Sequence, residues 1–426
     1  MDAPPVGIAQ PRSAPGSEVA HERTHAAARP WRLPMAGRDP REPHRASTPL
    51  ELLFDLCFVV AVAQAGAALH HDLTEGALAH GVFAYLVVFF TVWWPWLNFT
   101  WFASAYDTDD VPYRLLVFVQ IAGVLIVAAG VPRIFEDLDF RIAVIGYVVM
   151  RLSLVGLWLR AAREDPSGRP VALHFAAGIG LVQLLWVVRL FVDDGPAGIA
   201  LLFAFAAIEL AIPVWAERSG RHTPWHPEHI AERYGLFTII VLGECILAAT
   251  TAIQEALTDS GVTGPLIAVA VGALLLVCSL WWAYFKAPPV IGHFRSLRWM
   301  ISWGYGHYVV FASLAALGAG LQVAADGVVD PEHVPALTAA MSVALPTTVA
   351  LLAIATLHHG TVAAGGLSTW IPALVPVAVA FAAPSVGVPL VVLAIGIVVA
   401  VTVGTSVARL HRRAEAAEVA HQHQVA

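Results

Sequence analysis

Residues 47–64 read STPLELLFDLCFVVAVAQ, an apolar stretch that keeps Glu51, Asp55 and Gln64. Two carboxylates one helical turn apart can bind a cation or pass a proton. In hydrocarbon such groups must face protein or water. Thr48-Pro49-Leu50-Glu51 also reads as a capping box with proline at the first helical position, so satisfying backbone donors is the simpler role for Glu51. Asp55 lies about 6 Å deeper and about 40° round the same helix, where capping gives it no role. Pairing with an arginine and guiding a cation remain alternatives for it.

Four more ionisable residues fall deep within apolar runs. Glu244 sits about 18 Å along its helix from Glu232, close to a bilayer midplane. Glu209 and Arg151 lie at comparable depth. An Arg151 ion pair with one of the two glutamates would leave the other free to bind a cation or proton. We assign that free role to Glu244. His307, about ten residues into its span, is either a proton-relay member or a hydrogen-bonded core histidine.

Other charges gather at helix starts. Asp107 and Asp110 precede Pro112 and Arg114, where acids complement a helix dipole, and the run lacks the glycine and distal glutamate of a calcium loop. His229, Glu232 and Arg233 open a later helix; one i,i+3 pair supplies too few ligands for a metal. The loop His70, His71, Asp72, Glu75 and His80 has the residue types of a metal-collecting patch. Trp93, Trp94, Trp96 and Trp101 read as an aromatic belt near the cytoplasmic face. Cys57, Cys245 and Cys278 are small apolar-run residues with no CxxC spacing. No P-loop, GxSxG elbow or HExxH motif is present. No cofactor and no metal site is expected.

The elements that position these residues follow from composition. Of the 426 residues, 58% are hydrophobic and 13% charged, about half the charge of a soluble domain. Apolar runs of about 20 residues recur, the signature of an all-α polytopic membrane protein. Twelve spans are expected, near 49–69, 78–102, 112–131, 138–161, 170–190, 197–217, 230–254, 262–286, 298–324, 335–357, 368–384 and 386–408. The eleventh is short and holds Pro372 and Pro376, so it could be kinked or re-entrant. With the N-terminus inside, 20 of the 24 Lys and Arg residues fall on cytoplasmic segments. Arg133, Arg141 and Arg189 lie outside and Arg151 within a span. That skew places both termini in the cytoplasm and requires an even number of spans. Residues 1–45 read as a disordered cytoplasmic tail without the apolar core of a signal peptide.

FDLCFVVAVAQ at 54–64 can be laid over YGLFTIIVLGE at 234–244, which sets Gln64 opposite Glu244. Trp93–Trp94 matches Trp281–Trp282, and Arg114 matches Arg298, at offsets of 180, 188 and 184 residues. Two parallel six-helix repeats are therefore expected, at 46–217 and 230–409, joined by a linker at 218–229 and followed by a cytoplasmic tail at 410–426. PLELLFDLCFVVAVAQ, WWPWLNFTWFASAYDTDDVPYR, ERYGLFTIIVLGE and LWWAYF together resemble the bacterial low temperature requirement A family over about residues 47–410. The resemblance implies an integral membrane protein linked to growth in the cold. Phe54–Asp55 is also similar to the aromatic–Asp motif of the lysosomal potassium channel family, although the second repeat has Tyr234–Gly235 there.

The expected function is a transporter or channel for a cation or proton-coupled solute in the bacterial cytoplasmic membrane. A membrane-embedded enzyme acting on a lipid-linked substrate and a non-catalytic cold-adaptation scaffold are the alternatives. The expected partners are the lipid bilayer and a small ion or solute, with a homo-oligomer left open and no nucleic acid.

Overall fold

In a computed structural model, residues 31–42, 45–192, 195–220, 222–286, 296–358 and 367–425 are described. Most of the expected disordered tail, and Arg221 and Arg295 of the charge count, lie outside the described residues. Six helices come first: α1 Pro49–Thr74, α2 Leu78–Tyr106, α3 Val111–Asp137, α4 Arg141–Glu164, α5 Arg169–Arg189 and α6 Pro196–Glu217. Seven follow: α7 Pro227–Ser260, α8 Gly264–Phe285, α9 Leu297–Val329, α10 Ala336–Leu357, α11 Leu367–Ala380, α12 Ala383–Val386 and α13 Val388–Val425. Among the described residues no strand occurs.

Eleven of these helices are long and apolar enough to cross a bilayer. They carry large apolar side chains outward as well as inward, including Leu181, Leu184, Val188 and Phe203. A helix that is apolar all round belongs inside hydrocarbon, and the protein is a multi-pass membrane protein. The expected eleventh span differs. α11 has 14 residues with Pro372 and Pro376 inside it, about 21 Å of rise against a ~30 Å hydrocarbon core. The single-turn α12 then leads into α13.

Local sequence sets the helix ends. Thr48 caps α1 through the full capping box with Glu51. Asp110 caps α3 by accepting the Tyr113 amide at 3.0 Å, and Pro112 follows in the first turn. His226 caps α7, whose first residue is Pro227. Leu138 ends α3 in the left-handed region, at φ 57°.

Packing between spans rests on small residues, because lipid gives helices no hydrophobic reason to associate. A Cβ on Gly320 of α9 would stand 1.9 Å from the Ser342 carbonyl oxygen of α10. One on Gly396 of α13 would stand 2.8 Å from the Gly272 oxygen of α8. α1 packs on α2 and α3, α3 on α4, α4 on α5 and α5 on α6. From α7 onward the order recurs: α7 packs on α8 and α9, α9 on α10, α10 on α11 and α11 on α13. α2 and α9 are the most buried spans and α6 the least.

Burial of α2 corrects one expectation. Trp93, Trp94 and Trp96 are 2%, 0% and 0% exposed, so they form core rather than an interfacial belt. α2 lies between the two sets of helices, touching α1, α3, α4, α7 and α9, and large aromatics fill that central seam.

Candidate functional site

Glu51 and Asp55 are four residues apart on α1, and His229 and Arg233 four apart on α7. Each pair therefore shares one helix face. The two faces meet at the bundle end where α1 begins. Arg233 Nη1 lies 3.0 Å from Glu51 Oε1, and Arg233 Nη2 bonds Asp55 Oδ1. His229 Nε2 lies 3.2 Å from Glu51 Oε1. The Trp96 indole of α2 donates to Asp55 Oδ1 at 2.7 Å. All four ionisable side chains are buried.

Two carboxylates thus share one guanidinium. Glu51 Oε2 accepts the Thr48 amide at 2.8 Å, and its Oε1, though without a hydrogen bond, has Arg233 and His229 within ion-pair distance. Asp55 is less well supplied, because its Oδ2 is buried without a hydrogen-bond donor. His229 Nδ1 likewise lacks a partner. A charged oxygen left bare in a low-dielectric interior is costly, and a proton or small cation there would relieve it.

Hydrogen bonds and ion pairs tie the surrounding frame together. Arg45 Nη2 donates to the Ala103 carbonyl at 2.7 Å and its Nη1 to that of Ser104, satisfying acceptors at the end of α2. Ser104 Oγ accepts the His226 amide at 2.8 Å, which ties α2 to the start of α7. Asp110 pairs with Arg160 of α4 at 2.6 Å and accepts the Leu33 amide at 2.8 Å. Burial pushes the Asp110 pKa up, but Arg160 and the Leu33 and Tyr113 amides outweigh it and hold the group down at about 2. Asp107, beside them, accepts the Asp109 amide at 2.9 Å. Burial, and then the nearby Glu51 charge, raise its pKa to about 6. Arg114 forks onto Asp109 at 2.7 and 2.9 Å. Glu232 accepts the Ser47 amide at 3.3 Å, just outside the cluster.

A second cluster lies among α2, α4, α5 and α6. Arg151 Nη2 contacts Glu209 Oε2 at 2.6 Å, and both side chains are buried. Trp94 Nε1 and Gln183 Nε2 each donate to Glu209 at 3.0 Å. With three donors Glu209 is fully paired, as a structural ion pair requires.

Gln64 is exposed on α1 and Glu244 half-buried on α7; no hydrogen bond joins them, and among the described residues Glu244 has no ion pair. His307 is locked in one arrangement: Nδ1 meets the Trp303 carbonyl at 2.7 Å and Nε2 the Tyr284 hydroxyl at 3.0 Å. A histidine between a carbonyl and a hydroxyl has its tautomer fixed, which suits a core histidine.

The opposite bundle end carries the histidine-rich loop. His70 pairs with Asp326 of α9 at 2.5 Å, His80 with Asp72 at 2.9 Å, and His333 with Glu75 at 3.3 Å. The candidate metal patch is therefore split into separate pairs. No group of three or more His, Cys, Asp or Glu suited to a metal occurs among the described residues. Two of the pairs, His70–Asp326 and His333–Glu75, tie the end of α1 to α9 and the turn after it.

Sequence reasoning missed the partners rather than the acids. Arg233 stood out only as a helix-entry charge, His229 was weighed against its neighbour Glu232, and Trp96 was assigned to the membrane surface. The i,i+4 spacing of His229 and Arg233, matching that of Glu51 and Asp55, was the available signal.

The sequence matches the family described as Bacterial low temperature requirement A protein over residues 46–408. The chain belongs to this family. The match begins just before the Thr48 cap and ends within α13, so it takes in both buried clusters. This family member is 30% identical over 249 residues to the uncharacterized protein RA0937 of Rhizobium meliloti (strain 1021), covering 57% of this chain and 58% of that protein. The alignment thus spans little more than half of the relative's length. No solved structure matches.

Proposed function

We propose that the protein moves a cation or a proton-coupled solute across the bacterial cytoplasmic membrane, as a transporter or channel. The observation that carries this reading is the pair of buried carboxylates sharing Arg233, with one oxygen of Asp55 bare. A purely structural site would be neutral with each carboxylate oxygen bonded, as Glu209 with Arg151 is. Here one negative charge is left over, and His229 is placed to respond to it. The cluster joins α1 to α7, the first helices of the two proposed repeats, so loading Asp55 would loosen its hold on Arg233 and free the two helices to move. At the far end α1 is held to α9 through His70 and Asp326. The two contacts are the proposed gates, to be broken one at a time as the halves rock about a fixed site. The half-buried Glu244 is the proposed stop between them.

Purified protein in liposomes should move protons or a monovalent cation down an imposed gradient. Asp55→Asn should cut the flux at least tenfold, and Glu244→Gln should reduce it. Undiminished flux in Asp55→Asn liposomes, or none with the unaltered protein under any cation or proton gradient, would refute the reading.

A further inference from the structure

α6 is the most thinly packed span, and between it and α2 lies a cavity of about 520 Å³. Walls from α2, α4, α5, α6 and α9 enclose it. In the second set of helices the corresponding place is taken by α13, which packs tightly on α8 through Gly272 and Gly396. The volume suits one small molecule.

Three features define what would fit. The lining is rich in aromatic rings, among them Phe90, Trp93, Tyr147, Trp186, Phe203 and Tyr308. Trp93 and Trp186 are 2% and 8% exposed, and neither indole N–H has a hydrogen-bond acceptor. A buried indole ordinarily finds a partner, so these two donors call for acceptor oxygens on an occupant. The one charged lining residue, Arg189, already donates to the Gly198 and Val192 carbonyls at 3.2 and 3.0 Å. With those donors engaged and every other lining residue uncharged, the lining favours a neutral occupant.

The cavity opens sideways. Leu86 and Phe203 at its edge are 42% and 56% exposed, on the surface that meets lipid. Leu86 and Tyr308 also line a second apolar chamber of about 390 Å³ against α9 and α10. At this shared wall the Tyr308 hydroxyl donates to the Leu86 carbonyl at 2.8 Å.

We propose that this cavity binds a membrane-dissolved quinone-class molecule: a flat neutral ring with carbonyl acceptors between Trp93 and Trp186, and an apolar tail running past Leu86 and Tyr308. The site is separate from the Glu51–Asp55–Arg233 cluster and does not rest on the transport reading.

Solvent extracts of the protein purified in nanodiscs should contain a quinone at a fixed ratio to protein, read by absorbance and mass. A short-chain benzoquinone titrated into lipid-stripped protein in nanodiscs should bind saturably and raise the melting temperature. Trp93→Phe and Trp186→Phe keep the ring and remove the donor, so each should weaken binding about fivefold. Ala207→Phe, at an exposed wall position, should abolish binding while leaving the probe-free melting temperature unchanged. Equal binding by the unaltered protein and Ala207→Phe would overturn the proposal. So would extracts holding only phospholipid, or affinity indifferent to both tryptophan substitutions. If Ala207→Phe does not fold, the two tryptophan variants decide the matter.

Discussion

Arg233 of α7 bridges Glu51 and Asp55 of α1, the latter 178 residues away in the chain, at 3.0 Å from the first and in direct contact with the second. The pair of helices is therefore held together by a charge that belongs to neither acid alone. Removing it leaves two buried carboxylates facing each other, which costs about 3–5 kcal/mol. Arg233→Met should accordingly be poorly expressed or melt far below the unaltered protein. Adding Glu51→Gln and Asp55→Asn should restore folding, because no charge then lacks a partner, while flux stays lost. A triple variant that folds and also transports would show that the cluster is only structural.

Arg151 and Glu209 should behave in the opposite way. Trp94, Gln183 and Arg151 bond both oxygens of Glu209, so no carboxylate oxygen is left bare, although Arg151 Nε and Nη1 are buried without a hydrogen-bond partner. Glu209→Gln strands the Arg151 guanidinium and should lower stability by about 3–5 kcal/mol. Arg151→Leu combined with Glu209→Gln should recover most of it, since glutamine still accepts the Trp94 N–H. Thermal unfolding in detergent, followed by size-exclusion profiles, measures both. Transport by the double variant should equal that of the unaltered protein.

The contrast between these two sites shows what could be read from the sequence. Spans, helix starts and the pairing of Arg151 with a glutamate follow from apolar run length, cap residues and the cost of a lone charge in hydrocarbon. Asp55 drew attention because capping explains Glu51 and not a residue one turn deeper. Its partner did not, because a contact 178 residues distant depends on how α1 meets α7. Trp96 was misplaced for a related reason: tryptophan suits both a membrane surface and a crowded seam, and only the central position of α2 decides. The alignment of Gln64 with Glu244 matches positions in two helices, which is a different thing from a contact.

Asp107 gives the protein a pH dependence of known sign. Its folded pKa of about 6 lies above the ordinary aspartate value of 3.8, because burial and the Glu51 charge disfavour the anion. The folded state therefore holds this proton more tightly than the unfolded chain does. The resulting stability is fully present below pH 3.8 and disappears as the pH rises through about 6. At pH 7.5 the buried anion is a burden, and Asp107→Asn should stabilise the protein by about 1–3 kcal/mol. At pH 4 the two should melt together. Melting curves at pH 4, 5, 6 and 7.5 test this; a gap that stays constant across the series contradicts it.

α11 decides where the chain ends. Eleven helices can cross alone, while α11 provides about 21 Å of rise and needs α12 and the turn between them to reach the other side. Both termini in the cytoplasm, the expectation from the arginine distribution, would take an even number of crossings, and on that expectation α11 should cross with their help. Single cysteines can be placed on a background with Cys57, Cys245 and Cys278 replaced. In intact cells a membrane-impermeant maleimide should label Glu75→Cys and Glu332→Cys, which lie at the end where α1 and α9 finish. Ser167→Cys and Glu415→Cys should react only after the cells are opened. If Glu415→Cys labels in intact cells while Ser167→Cys does not, α11 turns back within the bilayer, and the second set of helices ends on the opposite side from the first.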